Sequence, residues 1–261
     1  MGVSVSRSDE VDTERLPASA ARSKWFWRRP DLLAAVLIVV VLGSLFVPAV
    51  QKARYQARAV GMRCHGLGIA SAVHIYQDVH KQYPSAAIYN RRQQPILSWR
   101  VEILPFLESN ELTKRFDREE PWSGVANKPL LTEMPEPYRN LLFPSPTHTT
   151  SVVPTGAHTM FVGNRGMPPE EVKDGASRTI FMIEIDGPRA VPWTAPRELN
   201  FDARNPKRGL GTERGWFHTF LADGSARPCT NDIDPEVLRR LIDPADGMPI
   251  DTYDFDMAAL R

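Results

Sequence analysis

Nineteen consecutive residues without a charge, Leu32 to Val50 (LLAAVLIVVVLGSLFVPAV), limit what this chain can become more than any other stretch. A helix needs about 20 apolar residues to cross the hydrocarbon core of a bilayer, and this run supplies them. Trp25, Phe26 and Trp27 come just before it, followed by Arg28 and Arg29, which places rings at headgroup depth and cations where they can snorkel. The run therefore reads as a membrane anchor whose edges are marked by Trp25, Trp27, Arg28, Arg29, Leu32 and Val50. A buried core helix would be shorter and would not carry this flank. A cleaved signal peptide could use Val47-Pro48-Ala49, but the segment ahead of the run is long for an n-region and the run outlasts an ordinary h-region.

That anchor divides the chain. Residues 1–30 are polar, mixed in charge and without apolar periodicity, and read as a disordered cytoplasmic tail. Residues 31–51 form the transmembrane helix, 52–245 an α+β head and 246–261 a C-terminal tail. Basic residues fall on both sides of the span (Arg15, Arg22, Lys24, Arg28 and Arg29 before it, Lys52, Arg54, Arg58 and Arg63 after it). The bias is slight, and the short tail favours an N-terminus in the cytoplasm and a head in the periplasm, with the anchor in the inner membrane.

Beyond Pro48 a helical pattern continues: Tyr55, Ala59, Met62, Ile69, Val73 and Tyr76 recur at three- and four-residue spacing, the mark of an amphipathic helix. Tyr83-Pro84 ends it, because the residue before a proline is pushed out of the helical region. One helix is expected from about Leu32 to about Gln82. The head that follows carries much of the chain's 23 prolines, which suits short strands and loops better than a bundle. A net charge of +1 with 24% charged residues gives no global sign of a nucleic-acid partner, and none is expected. Cys64 and Cys229 are far apart and in no metal-ligand spacing; a disulfide and two free thiols both remain open.

The recurring motifs read mainly as structure. Asp223-Gly224, between two β-prone segments in WFHTFLADGSARPC, suits a two-residue hairpin turn. Asp174-Gly175 leads into the strand TIFMIEI in the same way. Asp234-Pro235-Glu236 ahead of VLRRLI is a helix start, with Asp234 as N-cap and Pro235 in the first turn; Asp232 and Asp234 together also suggest calcium, although capping accounts for Asp234 more simply. Leu97 to Phe116 reads as an amphipathic helix interrupted by Pro105. The six histidines, His65, His74, His80, His148, His158 and His218, show no metal-ligand spacing, Ser177 is not in a nucleophile elbow, and no glycine loop for phosphate is present. No cofactor, metal ligand or catalytic residue is assigned.

The order of these motifs is similar to that of a planctomycete-type family known as domain of unknown function 1559. The resemblance runs through VPAVQKAR (Val47 to Arg54), Cys64, Val73 to Tyr76, Tyr83 to Ala86, LSWRVEILPFLE (Leu97 to Glu108), EEPWSGVANKPLL (Glu119 to Leu131), DGASRTIFMIE (Asp174 to Glu184), VPWTAPREL (Val191 to Leu199) and FLADGSAR (Phe220 to Arg227). Its motif residues here are Trp99, Pro121, Trp122, Asp174, Gly175, Trp193, Asp223 and Gly224. It implies a pilin-like fold, a long N-terminal helix packed on an antiparallel β-sheet head. Three departures stand out. Arg29-Pro30-Asp31-Leu32-Leu33 replaces the prepilin-peptidase signature, so the mature chain is expected to retain Trp25 to Arg29. The position of the family's closing histidine, separated from Asp-Gly by nine residues, is Glu213 here, and Phe143-Pro144-Ser145 stands where many members have Cys-Pro-Ser.

Two function classes follow. One is a non-catalytic, pseudopilin-like assembly protein of a type II secretion-like kind, touching the lipid bilayer and other pilin-like subunits through its helix. The other is a membrane-anchored module that binds a glycan or small solute, for which Trp122, Trp193 and Trp216 would form the ligand platform if their faces are open.

Overall fold

The computed structural model describes residues 29–248 and 250. Trp25, Trp27, Arg28 and the side chain of Arg29 lie outside the described residues, as do most of both expected tails. The chain divides into two units, Met1–Gln51 and Lys52–Arg261.

The fold is mixed α+β. Its first element is the helix α1, Arg29–His80, which continues through Pro48. In the first unit the apolar window of this helix buries none of its surface, with Leu32 48% and Val50 44% exposed. Its length and composition are those a single-pass anchor requires. At the other end, Lys81 adopts a left-handed φ of +57° and terminates α1 two residues before Tyr83-Pro84.

In the second unit the elements are short. They run β1 (Ala87–Tyr89), β2 (Pro95–Ser98), α2 (Trp99–Glu102), α3 (Asn110–Lys114), β3 (His148–Thr149), β4 (Ser151–Val152), β5 (Pro154–Thr155), β6 (Ile180–Glu184), β7 (Val191–Pro192), β8 (Leu199–Asn200), β9 (Trp216–Leu221), β10 (Ala226–Thr230) and α4 (Pro235–Ile242). The largest sheet among the described residues is four-stranded and antiparallel, in the order β10-β9-β6-β4, and three two-stranded pairs accompany it.

Side-chain alternation gives this sheet two apolar faces. Met182 and Phe220 belong to the core that includes Ile69, Val73 and Tyr76 of α1, so the helical spacing seen in the sequence is the buried face of that helix. Ile183, Phe217 and Leu221 join Leu238, Leu241 and Ile242 of α4 in the second core. A Cβ added at Gly66 would fall inside the Phe220 ring, so glycine is what lets α1 approach β9 this closely. Asp234 caps α4 by accepting from the amides of Glu236 and Val237 at 2.7 and 3.3 Å, with Pro235 in the first turn.

Two expectations need correction. Leu97 to Phe116 is not one helix: it comprises β2, α2, a 3-10 turn at Leu104–Leu107 and α3. Pro105 starts the 3-10 turn, and Glu108, at φ +56°, breaks the backbone direction before α3. The β9–β10 turn holds three residues, Ala222, Asp223 and Gly224, since Leu221 pairs with Ser225. Gly224 takes φ +83°, the left-handed position that such loops reserve for glycine, while the Ala222 and Asp223 amides bond outward to Thr179 and Ala176.

Candidate ligand cleft and buried charge pairs

The motif residues are dispersed. Trp99 is buried at the start of α2, where Ser98 accepts from the Arg100 amide at 3.3 Å. Pro121 and Trp122 lie in a loop organised by Asn127, whose Nδ2 donates to the carbonyls of Asp117 and Glu120 and whose Oδ1 accepts from the Asp117 amide. Asp174 receives the amides of Asp246 and Gly247 at 2.8 and 3.0 Å, tying the C-terminal segment to the turn before β6. Gly175 there takes φ +95°. Asp223 accepts from Ser225. Both cysteines are free, Cys64 exposed and Cys229 buried, and burial pushes the Cys229 thiol up to about 12.

The three candidate platform tryptophans occupy three separate surroundings. Trp193 is 0% exposed, stacks on Tyr138 with ring centroids 5.8 Å apart and donates Nε1 to the Leu131 carbonyl at 2.9 Å. It therefore has no face to offer a ligand. Trp122 and Trp216 are half-buried, and in each case a guanidinium lies over the ring, Arg197 at 5.5 Å and Arg214 at 4.3 Å.

What the motifs did not reveal is a pair of buried Arg–Glu contacts. Arg100, enclosed at the start of α2, gives Nη1 and Nη2 to Glu198 Oε1 and Oε2 at 2.9 and 3.0 Å. Its Nε and Nη2 reach the Ser151 carbonyl and Nη1 the Ser98 hydroxyl, and Glu198 also accepts the Val153 amide at 3.0 Å. Burial pushes the Glu198 carboxyl above the usual range, with the Arg100 charge and the Val153 amide opposing it.

The second contact lies on the central sheet. Glu184 ends β6, and His218 is its cross-strand neighbour on β9, continuing the register in which Ile183 faces Thr219. Glu184 Oε2 accepts from Arg214 Nη2 and is bonded to His218 Nδ1, both at 2.7 Å. Burial raises this carboxyl, but the bonds from His218 and Arg214 and the guanidinium charge outweigh it, so Glu184 titrates below an ordinary carboxyl. A charged residue closing the apolar run TIFMI is the sequence signal that could have pointed here.

A cleft of about 460 Å³ opens beside Glu184, with Tyr55, Asn140, Phe143, Asp186, Glu213 and Arg214 among its walls. Glu213, at the position where the resemblance puts a histidine, thus faces this cleft. Asn140 shapes the wall from within, capping Leu142 and Phe143 through Oδ1 and donating to Thr150.

No curated protein and no solved structure matches the chain. The model of a family described as a protein of unknown function, DUF1559 (SBP_bac_10), matches residues 51–146. The matched segment holds most of α1 beyond the apolar run, Trp99, Pro121 and Trp122, whereas Asp174, Gly175, Trp193, Asp223 and Gly224 fall beyond it. Through residues 51–146 the chain is thus similar to the domain of unknown function 1559 family.

Proposed function

We propose that this protein is a single-pass inner-membrane protein, its N-terminus cytoplasmic and its head periplasmic, that serves as a non-catalytic, pseudopilin-like assembly subunit. The observation that carries this reading is the outward face of α1 within the head. Opposite the buried residues Ile69 and Val73, the helix presents Val60 (62% exposed), Ile75 (46%) and Val79 (62%) to solvent. Cys64, Gly68 and Ser71 fall between them at helical spacing. A helix apolar on two faces has a second surface to cover, and the same face of a second copy is the occupant that matches it in chemistry and length.

Cys64 makes the test direct, because it is an exposed thiol on that face. Mild oxidation of native membranes should give a covalent dimer through Cys64; Cys64→Ser should abolish it, and adding Ile75→Cys to that variant should restore it. If neither thiol forms a dimer, heads do not pack through this face. Topology has its own test: a thiol introduced at Glu170, exposed on the head, should react with a membrane-impermeant reagent once the outer membrane is permeabilised. The second reading, a membrane-anchored binding module, is supported by the cleft beside Glu184 rather than by the tryptophans.

A further inference from the structure

The cleft beside Glu184 has a chemical bias that its structural role leaves unexplained. The Glu184 side chain is only 3% exposed, yet both of its donors converge on Oε2, and Oε1 takes no hydrogen bond from the described residues. Oε1 is not sealed into the core but borders the cleft, so it is free to accept from an N–H donor that enters. Asp186 and Glu213 add two carboxylates whose oxygens take part in no hydrogen bond or ion pair among the described residues, while Arg214 is the one basic residue among those lining the cleft. Arg214 is already committed, Nη2 to Glu184 and Nε to the Trp216 carbonyl at 2.7 Å. Three carboxylates against one guanidinium leave a negative surplus.

That surplus disfavours anions and favours a cation over a neutral sugar, whose hydroxyls could donate to the same carboxylates but would leave their charge unbalanced. A metal ion is a poor fit as well, since among the described residues no group of three His, Cys, Asp or Glu side chains is placed to hold one. The remaining walls include Tyr55 and Phe143, whose rings can pack a methylene chain and attract a cation to their faces. We infer that the cleft binds an alkylammonium group, with the ammonium donating to Glu184 Oε1, the Asp186 and Glu213 charges adding attraction from elsewhere on the cleft wall, and the methylenes lying against Tyr55 and Phe143. The group comes from a free polyamine or from a lysine side chain, and the inference is independent of whether heads pack through α1.

The experiment is calorimetric titration of the full chain, in nanodiscs of zwitterionic lipid, with spermidine, n-butylammonium and N-acetyl-lysine amide. Saturable binding of spermidine is expected, weakened at least about tenfold in the double variant Asp186→Asn/Glu213→Gln, since two partly exposed charges together account for that much. Glu170→Gln, which removes an exposed carboxylate that is not among the cleft's lining residues, should leave it unchanged. Binding of acetyl-lysine amide as tight as that of n-butylammonium assigns the group to a protein lysine; binding of spermidine alone assigns it to a free polyamine. Absence of binding in the wild type, equal affinity in the double variant, or displacement of spermidine by an equal concentration of magnesium overturns the proposal.

Discussion

Arg100–Glu198 and Arg214–Glu184 are the same chemical pair placed in two different settings. Arg100 meets both oxygens of Glu198 in a fork and spends its remaining donors on Ser151 and Ser98, so charge and hydrogen bonds close on themselves. Arg214 meets one oxygen of Glu184, shares it with His218 and leaves the other oxygen open beside a cleft. A closed pair fixes the chain segments it joins, here Ser98 to Arg100, Ser151 to Val153, and Glu198. An open pair keeps recognition capacity at the expense of stability, because desolvation is only partly offset. The contrast separates a pair sealed between chain segments from a pair that borders a cleft, although both carboxylates are almost wholly buried.

The largest effect should come from opening the clamp. Arg100→Met leaves Glu198 buried without its cation and should lower stability by about 3–5 kcal/mol, read as a fall in the urea midpoint; Arg100→Met with Glu198→Leu should recover most of it. Arg214→Met should lose less, about 1–3 kcal/mol, because Glu184 keeps His218 and an edge open to water. Equal losses at the two sites would remove the distinction.

Titration sharpens the same contrast by sign. Glu184 has a folded value below the ordinary one of about 4.5, so the stability it contributes is present above that pH and is lost as pH falls through its folded value. Glu198 has a folded value above the ordinary one, so its contribution is present at low pH and is lost as pH rises through the folded value. In urea titrations at a series of pH values, the deficit of Glu184→Gln against wild type should shrink toward acid. The deficit of Glu198→Gln should shrink toward neutral pH. Parallel trends would show that the two carboxyls share one environment.

Local patterns were legible in the sequence where short-range physics decides. The buried face of α1 through Ile69, Val73 and Tyr76 follows from helical spacing, and the Asp234 cap from the chemistry of a helix start. Leu97 to Phe116 was misread because its apolar residues fit a helix, while the left-handed backbone at Glu108 has no strong signature in a glutamate. The charge cluster was hidden for another reason. Glu184 meets His218 only through the pairing of β6 with β9 and meets Arg214 through the loop before β9, contacts that link positions about thirty residues apart. Trp193 illustrates the same limit, since tryptophan is equally at home in a core and on a platform.

The contact between Gly66 and Phe220 gives the head a mechanical character. Sliding α1 along its axis by one residue would bring His65 or Leu67 onto a ring that now occupies the space of a missing side chain, so the helix is keyed to the sheet like a shaft in a slot. Phe220 belongs to β9, which is hydrogen-bonded on one side to β10 and on the other to β6. A load drawn along the helix between Lys52 and His80 would therefore reach an interior strand rather than an edge. That strand is held by a ladder of bonds on each side, so displacing it would have to break both.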